Sequence, residues 1–149
     1  MTRLLLIAAL LAAGLTGCTQ TTTCVDWVHF ETPADMADAA DLVIVGEQVG
    51  RDGSTGRFGL DARAYMVRVD EVLKGELGDD EIRVLSLPAT CSGGEYIAGD
   101  QLDVEGPVQL FLTRTDGSWD TLTSYQGVLP VSGSLPWVPK PTPAPTPTP

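Results

Sequence analysis

Residues 32–46, TPADMADAADLVIVG, change from a helical pattern to a strand pattern within a few positions. Thr32 is a good N-cap, Pro33 suits the first helical position, and Asp35 complements the positive N-terminus of a helix. A short helix beginning at Pro33 is therefore predicted. The run LVIVG at 42–46 is apolar and β-branched, which predicts a buried strand.

The chain after this run contains further stretches with the patterns of β-strands. The alternation slips by one residue near Asp70-Glu71, which predicts a bulge there, and Asp116-Gly117 is typical of a tight hairpin turn. The Gly-rich stretch 51–60 is predicted to be a hairpin loop, and residues 24–30 an edge strand. The other predicted strands are 42–49, 65–74, 82–87, 108–113, 119–123 and 127–131.

Several short strands with turn signals and one helical segment indicate a mainly β protein. We expect a small antiparallel barrel or sandwich of five to six strands with one short helix. A parallel sheet built from β-α-β units is not expected, because each such unit needs a crossover between its strands, usually a helix.

Residues 1–17 have the features of an export signal. Arg3 supplies a positive charge, and the apolar residues 4–12 are fewer than the ~20 that a membrane span needs. The sequence LTGC at 15–18 resembles the bacterial lipobox, in which the signal is cleaved before cysteine. The resemblance implies that Cys18 becomes the N-terminus and carries a diacylglycerol, with acyl chains such as palmitate. The alternative is an ordinary secreted protein with a chance cysteine at this position.

A lipidated Cys18 would hold the protein on the extracytoplasmic face of a bacterial membrane. One acyl chain binds a bilayer only marginally, whereas two acyl chains give stable anchoring. Residues 18–23 are predicted to form a short polar tether between this anchor and the folded part of the chain.

The chain has three cysteines, so Cys24 and Cys91 remain once Cys18 is assigned to the lipid. Two cysteines in an exported protein are typical of one disulfide, which is worth roughly 4 kcal/mol for a loop of this length in the chain-entropy model. Cys91 is also a candidate nucleophile with His29, the one histidine, as its base. A zinc site formed by Cys24, His29 and Cys91 would lack the close pair spacing of structural zinc sites.

The predicted organisation of the chain has four parts. The last part is rich in Pro and Thr, which favour extended backbone and cannot form a packed core, so it is expected to be disordered. The parts are a lipoprotein signal peptide at 1–17, the tether at 18–23, the β-domain at 24–131 and the tail at 132–149.

Four stretches of the sequence occur in a recognisable order. They are ADLVIVG at 40–46, VLKG at 72–75, CSGGEYIAGD at 91–100 and VQLFL at 108–112. This order is similar to that of the netrin-like module shared with tissue inhibitors of metalloproteinases. The resemblance implies an OB-type five-stranded barrel over about 24–131, so the expected fold is a small antiparallel OB-like barrel of five to six strands with one short helix. It also supports the pairing of Cys24 with Cys91.

The resemblance does not extend to the inhibitory mechanism of the animal family. Those inhibitors bind catalytic zinc through the free amine of an N-terminal cysteine. Here Cys24 is internal and Cys18 is expected to be acylated, so that mechanism is not expected.

The formal net charge of −11 argues against two classes of partner. Nucleic acid and anionic lipid heads both attract surfaces rich in Lys and Arg. The aromatic residues that an OB-type face could use for ligands are few and are interpreted as core or edge packing. They are Tyr65, Tyr96, Trp119 and Tyr125.

No residue pattern of a known catalytic site is found in the sequence. A Ser-His-Asp set would have to use His29 alone. The acidic groups at 79–81 and at Asp100, Asp103 and Glu105 lack the spacing of a calcium-binding loop and are interpreted as solvated turns. We therefore predict no catalytic residue, no metal ligand and no cofactor.

These observations favour a non-enzymatic lipoprotein whose domain binds a protein or a polymer of the cell envelope. A protease inhibitor that acts through a loop near Cys91 is the alternative. A hydrolase with an unrecognised carboxylate site is a third option.

Overall fold

The computed structural model of the protein describes residues 24–92 and 94–137. The predicted signal peptide at 1–17, the lipid attachment site Cys18 and the tether at 18–23 lie outside the described residues. The part of the predicted tail from residue 138 onward also lies outside them. Within the described ranges, no helix is long and apolar enough to cross a membrane.

The described chain is mainly β, with one α-helix and one sheet, as the sequence predicts. Helix α1 is Pro33–Ala39, and a short 3-10 turn covers Thr90–Ser92. The strands are β1 Leu42–Arg57, β2 Leu60–Lys74, β3 Glu81–Ser86, β4 Pro107–Thr115, β5 Ser118–Thr121 and β6 Val128–Pro130.

The strand pairings close into a ring. The order in the sheet is β1-β2-β3-β5-β4-β6, and β1 also pairs with β4, so five strands form the ring and β6 lies outside it on β4. A closed ring of pairings is what the predicted barrel requires.

One detail of the predicted sheet is wrong, because β3 and β5 pair in parallel. All other pairings of the described strands are antiparallel. Strand β5 turns back from β4 by a hairpin and then lies beside β3, so it runs in the same direction as β3.

The stretch that begins at Leu42 is buried on both faces. Leu42 and Ile44 belong to the main core, whereas Val43 belongs to a second cluster with Met36 of α1 and Phe111 of β4. Successive side chains of a strand point to opposite faces. An uninterrupted apolar run therefore needs cover on both sides, and α1 supplies it on the outside of the ring.

Both ends of α1 are fixed by side chains. Thr32 and Asp35 form a capping box, in which the Asp35 N–H donates to Thr32 Oγ1 (3.2 Å) and the Thr32 N–H donates to Asp35 Oδ2 (2.9 Å). At the other end, Lys74 Nζ donates to the carbonyl oxygens of Ala37 and Ala40, each at 2.7 Å. Lys74 thus ties the end of β2 to the C-terminal carbonyls of the helix.

The bulge predicted near Asp70 is confirmed. Val45 pairs with Glu71 and Gly46 with Val69, which leaves Asp70 as the extra residue on β2. A Cβ atom at Gly46 would collide with the backbone of β2, so the close approach of the two strands here requires glycine.

Strand β1 continues far beyond its predicted end. Residues 51–57 pair irregularly with β2, and the turn is Phe58-Gly59, with positive φ angles of 54° and 78°. The predicted loop at 51–60 is therefore wrong. Arg83 on β3 donates from Nε to Asp52 Oδ2 (2.6 Å), so a contact from a neighbouring strand holds a stretch whose composition favours a loop.

The chain after β6 remains in contact with the domain as far as Trp137, inside the predicted tail. The buried Gln109 donates from Nε2 to the Trp137 carbonyl (2.9 Å) and accepts from the Trp137 N–H (3.2 Å). The Trp137 side chain packs against the cluster around Met36 and Phe111.

Candidate functional site

Residues 24–30, here called the N-terminal segment, lie against the ring without joining the sheet, so the edge strand predicted for them is wrong. At the start of the segment, the predicted disulfide joins Cys24 to Cys91, with Cα atoms 4.8 Å apart. The Val25 N–H donates to Thr90 Oγ1 (2.9 Å). Two contacts therefore attach this end to the loop after β3.

The other end of the N-terminal segment is held by Gln126. Its Oε1 accepts from the Phe30 N–H (2.9 Å), and its Nε2 donates to the Phe30 carbonyl (2.8 Å). A side-chain amide can make both bonds at once because it carries an acceptor and a donor. Gln126 thus replaces the strand partner that Phe30 would have in a sheet.

Gln126 is itself held by a tight turn between β5 and β6. Thr123 Oγ1 accepts from the Gln126 N–H (2.8 Å), and the Thr123 N–H donates to the Gln126 carbonyl (3.0 Å). Gly127 follows with a φ of 128°, and a Cβ there would lie 2.9 Å from the Leu122 nitrogen. Only glycine fits this position without strain.

Between these attachment points, the backbone of the N-terminal segment has no hydrogen-bond partner in the part of the chain that the structure describes. Among the described residues, the N–H and C=O groups of 26–29 form no hydrogen bond with the rest of the chain. The Val28 side chain is 66% exposed. Trp27 packs edge-on against Phe58, with ring centroids 5.5 Å apart, and its buried Nε1 has no acceptor within the described ranges. The segment therefore presents unpaired backbone groups beside apolar side chains.

An open groove of about 510 Å³ lies beside the N-terminal segment. Residues 25–29 form one wall, Thr90 and Cys91 form another, and Thr123, Tyr125 and Gln126 complete the lining. Tyr125 is 60% exposed, so its interpretation as packing is wrong. Asp26 is the acidic residue of the lining, and no Lys or Arg of the described residues contributes to it.

A second polar site surrounds Asp100, whose carboxylate is buried rather than solvated, in contrast to the prediction. Its Oδ2 accepts from the Tyr65 hydroxyl (2.8 Å) and from Arg63 Nη1 (3.3 Å), and its Oδ1 accepts from Ser86 Oγ (2.5 Å) and the Leu102 N–H (3.1 Å). Four donors occupy this carboxylate, so its role is to fasten the loop before β4 to β2 and β3.

Burial raises the pKa of the Tyr65 phenol well above its usual value, and the hydrogen bond to Asp100 raises it further. Burial also raises the pKa of Tyr96, whose hydroxyl donates to the Ser86 carbonyl (2.6 Å). Both phenols therefore remain protonated donors at neutral pH and hold this network together.

A buried ion pair joins the tips of the two hairpins. Arg57 donates from Nε to Asp120 Oδ2 (2.8 Å) and from Nη2 to the Thr115 carbonyl (3.1 Å), and both charged side chains are at most 9% exposed. Burial raises the pKa of Asp120, while the Arg57 guanidinium opposes this effect. The pair closes one end of the ring.

Two of the predicted site residues come together in the structure. The Cys24 and Cys91 sulfur atoms are bonded to each other, so neither Cys91 as a nucleophile nor a zinc site with both thiolates is compatible with this structure. His29 lines the groove. Within the described ranges, no group of His, Cys, Asp and Glu side chains could hold a metal ion.

Comparison with protein-family models and with curated proteins finds no match to this chain. Membership of the lipoprotein and netrin-like families therefore stays a prediction.

The sequence does not single out Thr90 or Gln126, which line the groove, and Tyr125 is considered there only as an aromatic interpreted as packing. The stretch TSYQG at 123–127 carries a recognisable turn signal, because a threonine is followed four residues later by a glycine. No local pattern indicates that Gln126 bonds to a residue 96 positions away.

Proposed function

We propose that this protein is a lipid-anchored, extracytoplasmic binding module of a bacterial membrane, and that the groove beside the N-terminal segment is its binding site. The observation that carries the proposal is a segment attached at both ends whose middle presents unpaired backbone groups. A surface ordered before binding loses less entropy when a partner arrives.

The chemistry of the groove favours an extended protein segment as the ligand. The unpaired N–H and C=O groups of 26–29 can pair with an added chain, which is a common mode of peptide recognition. Val28 and Tyr125 are exposed in the groove lining and offer apolar contacts to the side chains of such a segment. Asp26 and the net charge of −11 disfavour an acidic partner.

The anchor in this proposal is the lipid on Cys18, and Cys18→Ser tests it. We expect the wild-type protein in the membrane fraction and the variant in the soluble fraction or retained as the uncleaved precursor. The uncleaved precursor is told apart by its larger size on a gel, so a variant of mature size that stays in the membrane fraction like the wild type would contradict the anchor.

The binding site is tested by chemical crosslinking and affinity capture from intact cells. Val28→Glu places a charge in the groove and should lower the yield of the captured partner at least several-fold. Val49→Glu is the matched control, since Val49 is also exposed (47%) but lies on β1 outside the groove lining. Equal capture by both variants would reject the groove.

Inhibition of an envelope protease is a second candidate function. The observation in its favour is that a disulfide holds the N-terminal segment and the Cys91 loop side by side, so an exposed chain is presented rigidly. Incubation with a panel of metalloproteases and serine proteases tests it. Inhibition that is lost in Val28→Glu would support this function, whereas no inhibition of any protease would count against it.

A further inference from the structure

We infer that the groove binds its partner close to the bilayer, and that the partner is an extended, apolar segment of an integral membrane protein next to its membrane span. This inference rests on the proposed function, because it takes the lipid on Cys18 as the anchor. It adds where the partner lies and to which class of protein it belongs.

The first step is the length of the tether. Six residue steps separate Cys18 from Cys24, and a fully extended chain covers at most ~3.5 Å per step, or about 20 Å in all. Cys24 is bonded to Cys91, which lines the groove, and Val25 lines it directly. The groove therefore begins where the tether ends and cannot move far from the lipid headgroups.

The second step distinguishes a protein from the lipid surface itself. Membrane surfaces that contain anionic lipids attract clusters of Lys and Arg, whereas the described residues contribute Asp26 and no Lys or Arg to the groove lining. The whole chain carries a net charge of −11. Such a protein is repelled by anionic headgroups, so the lipid anchor holds it near the bilayer while the groove stays open for a protein segment.

The third step concerns the occupant's chemistry. Val28 and Tyr125 are 66% and 60% exposed on the groove, and the backbone of 26–29 has no partner among the described residues. An extended segment with apolar side chains satisfies both features. The juxtamembrane stretch of an integral membrane protein is such a segment, and it lies at the short distance from the bilayer that the tether allows.

The experiment places a photo-crosslinking amino acid at position 28 of the full-length protein in intact cells, with position 49 as the matched control. The crosslinked peptides are identified by mass spectrometry. A second protein carries twenty Gly and Ser residues inserted after Thr21. The insertion lengthens the tether from 6 to 26 residue steps. The effective concentration of the groove near the bilayer should then fall about ninefold, because it scales with the −3/2 power of the tether length.

The expected result is an adduct from position 28, absent from position 49, whose partner peptide adjoins a membrane span. Its yield should fall several-fold, up to about ninefold, with the longer tether. An adduct with lipid, an adduct with a protein that has no membrane span, a yield unaffected by tether length or no adduct at position 28 would each overturn the inference.

Fractionation of the unaltered protein separates this inference from the proposed function. Wild-type protein in the soluble fraction would reject the anchor and the proposed function with it. Membrane-bound protein that crosslinks a soluble partner would leave the proposed binding function standing and reject only the membrane-proximal partner.

Discussion

Replacing Cys24 and Cys91 together by Ser should remove a large share of the stability of this protein. The disulfide joins residues separated by 67 positions. The chain-entropy model assigns about 4 kcal/mol at 25 °C to the constraint that a loop of this length places on the unfolded chain. A typical domain has a free energy of unfolding of only ~5–15 kcal/mol, so the double variant should unfold far more readily.

The assay is urea unfolding of the wild-type and double-variant proteins, followed by tryptophan fluorescence. With a denaturant slope of about 1.5 kcal/mol/M, the midpoint should fall by roughly 3 M. Wild-type protein in the presence of a reductant is the control and should match the variant, because both lack the same bond. A loss below about 1 kcal/mol would refute the idea that this loop closure stabilises the fold.

Three further predictions concern side chains of the ring. Arg57→Met leaves the buried Asp120 carboxylate unpaired and should lower the free energy of unfolding by about 3 kcal/mol. The double variant Arg57→Met with Asp120→Leu should recover most of this loss. Urea unfolding measures both, and an equal loss in the double variant would contradict the pairing argument. Lys74→Met keeps the apolar stem but removes the hydrogen bonds to the α1 carbonyls. Thermal unfolding should show a loss of about 2 kcal/mol in the free energy of unfolding. An unchanged melting temperature would reject the role of Lys74 in holding the helix end. Because burial raises the pKa of Tyr65 in the folded state, the unfolded chain loses the phenol proton first, and stability should fall as pH rises above about 10. Tyr65→Phe should show a smaller alkaline loss than the wild type in unfolding curves from pH 8 to 11, and equal losses would contradict this assignment.

Much of the fold could be predicted because its signals are local. The capping box of Thr32 and Asp35 needs only four consecutive residues, and the bulge at Asp70 follows from a slip in strand alternation. By contrast, the hairpin arm at 51–57 has the composition of a loop. Arg83 on β3 helps to hold it, and that contact arises only when the strands have assembled.

The candidate site was predicted in part. Cysteine counting predicts the Cys24–Cys91 bond, because the expected lipidation of Cys18 leaves two cysteines. The role of Gln126 could not be predicted, and Tyr125 was interpreted as packing, since the place of both depends on a turn that meets the N-terminal segment across the fold. Asp100 was misjudged for the same reason: an acidic residue in a loop is usually solvated, and its four donors come from distant strands and the loop itself.

The sequence by itself thus determined the helix start, the buried strand at 42–46, the mainly β class and the disulfide partners. Each of these depends on neighbouring residues or on the chemistry of one residue type. Only the tertiary structure decided that β5 lies parallel to β3, that a carboxylate is buried at Asp100 and that Gln126 holds the segment beside the groove. These features require contacts between residues far apart in the chain, and such contacts form only after the loops between them have closed.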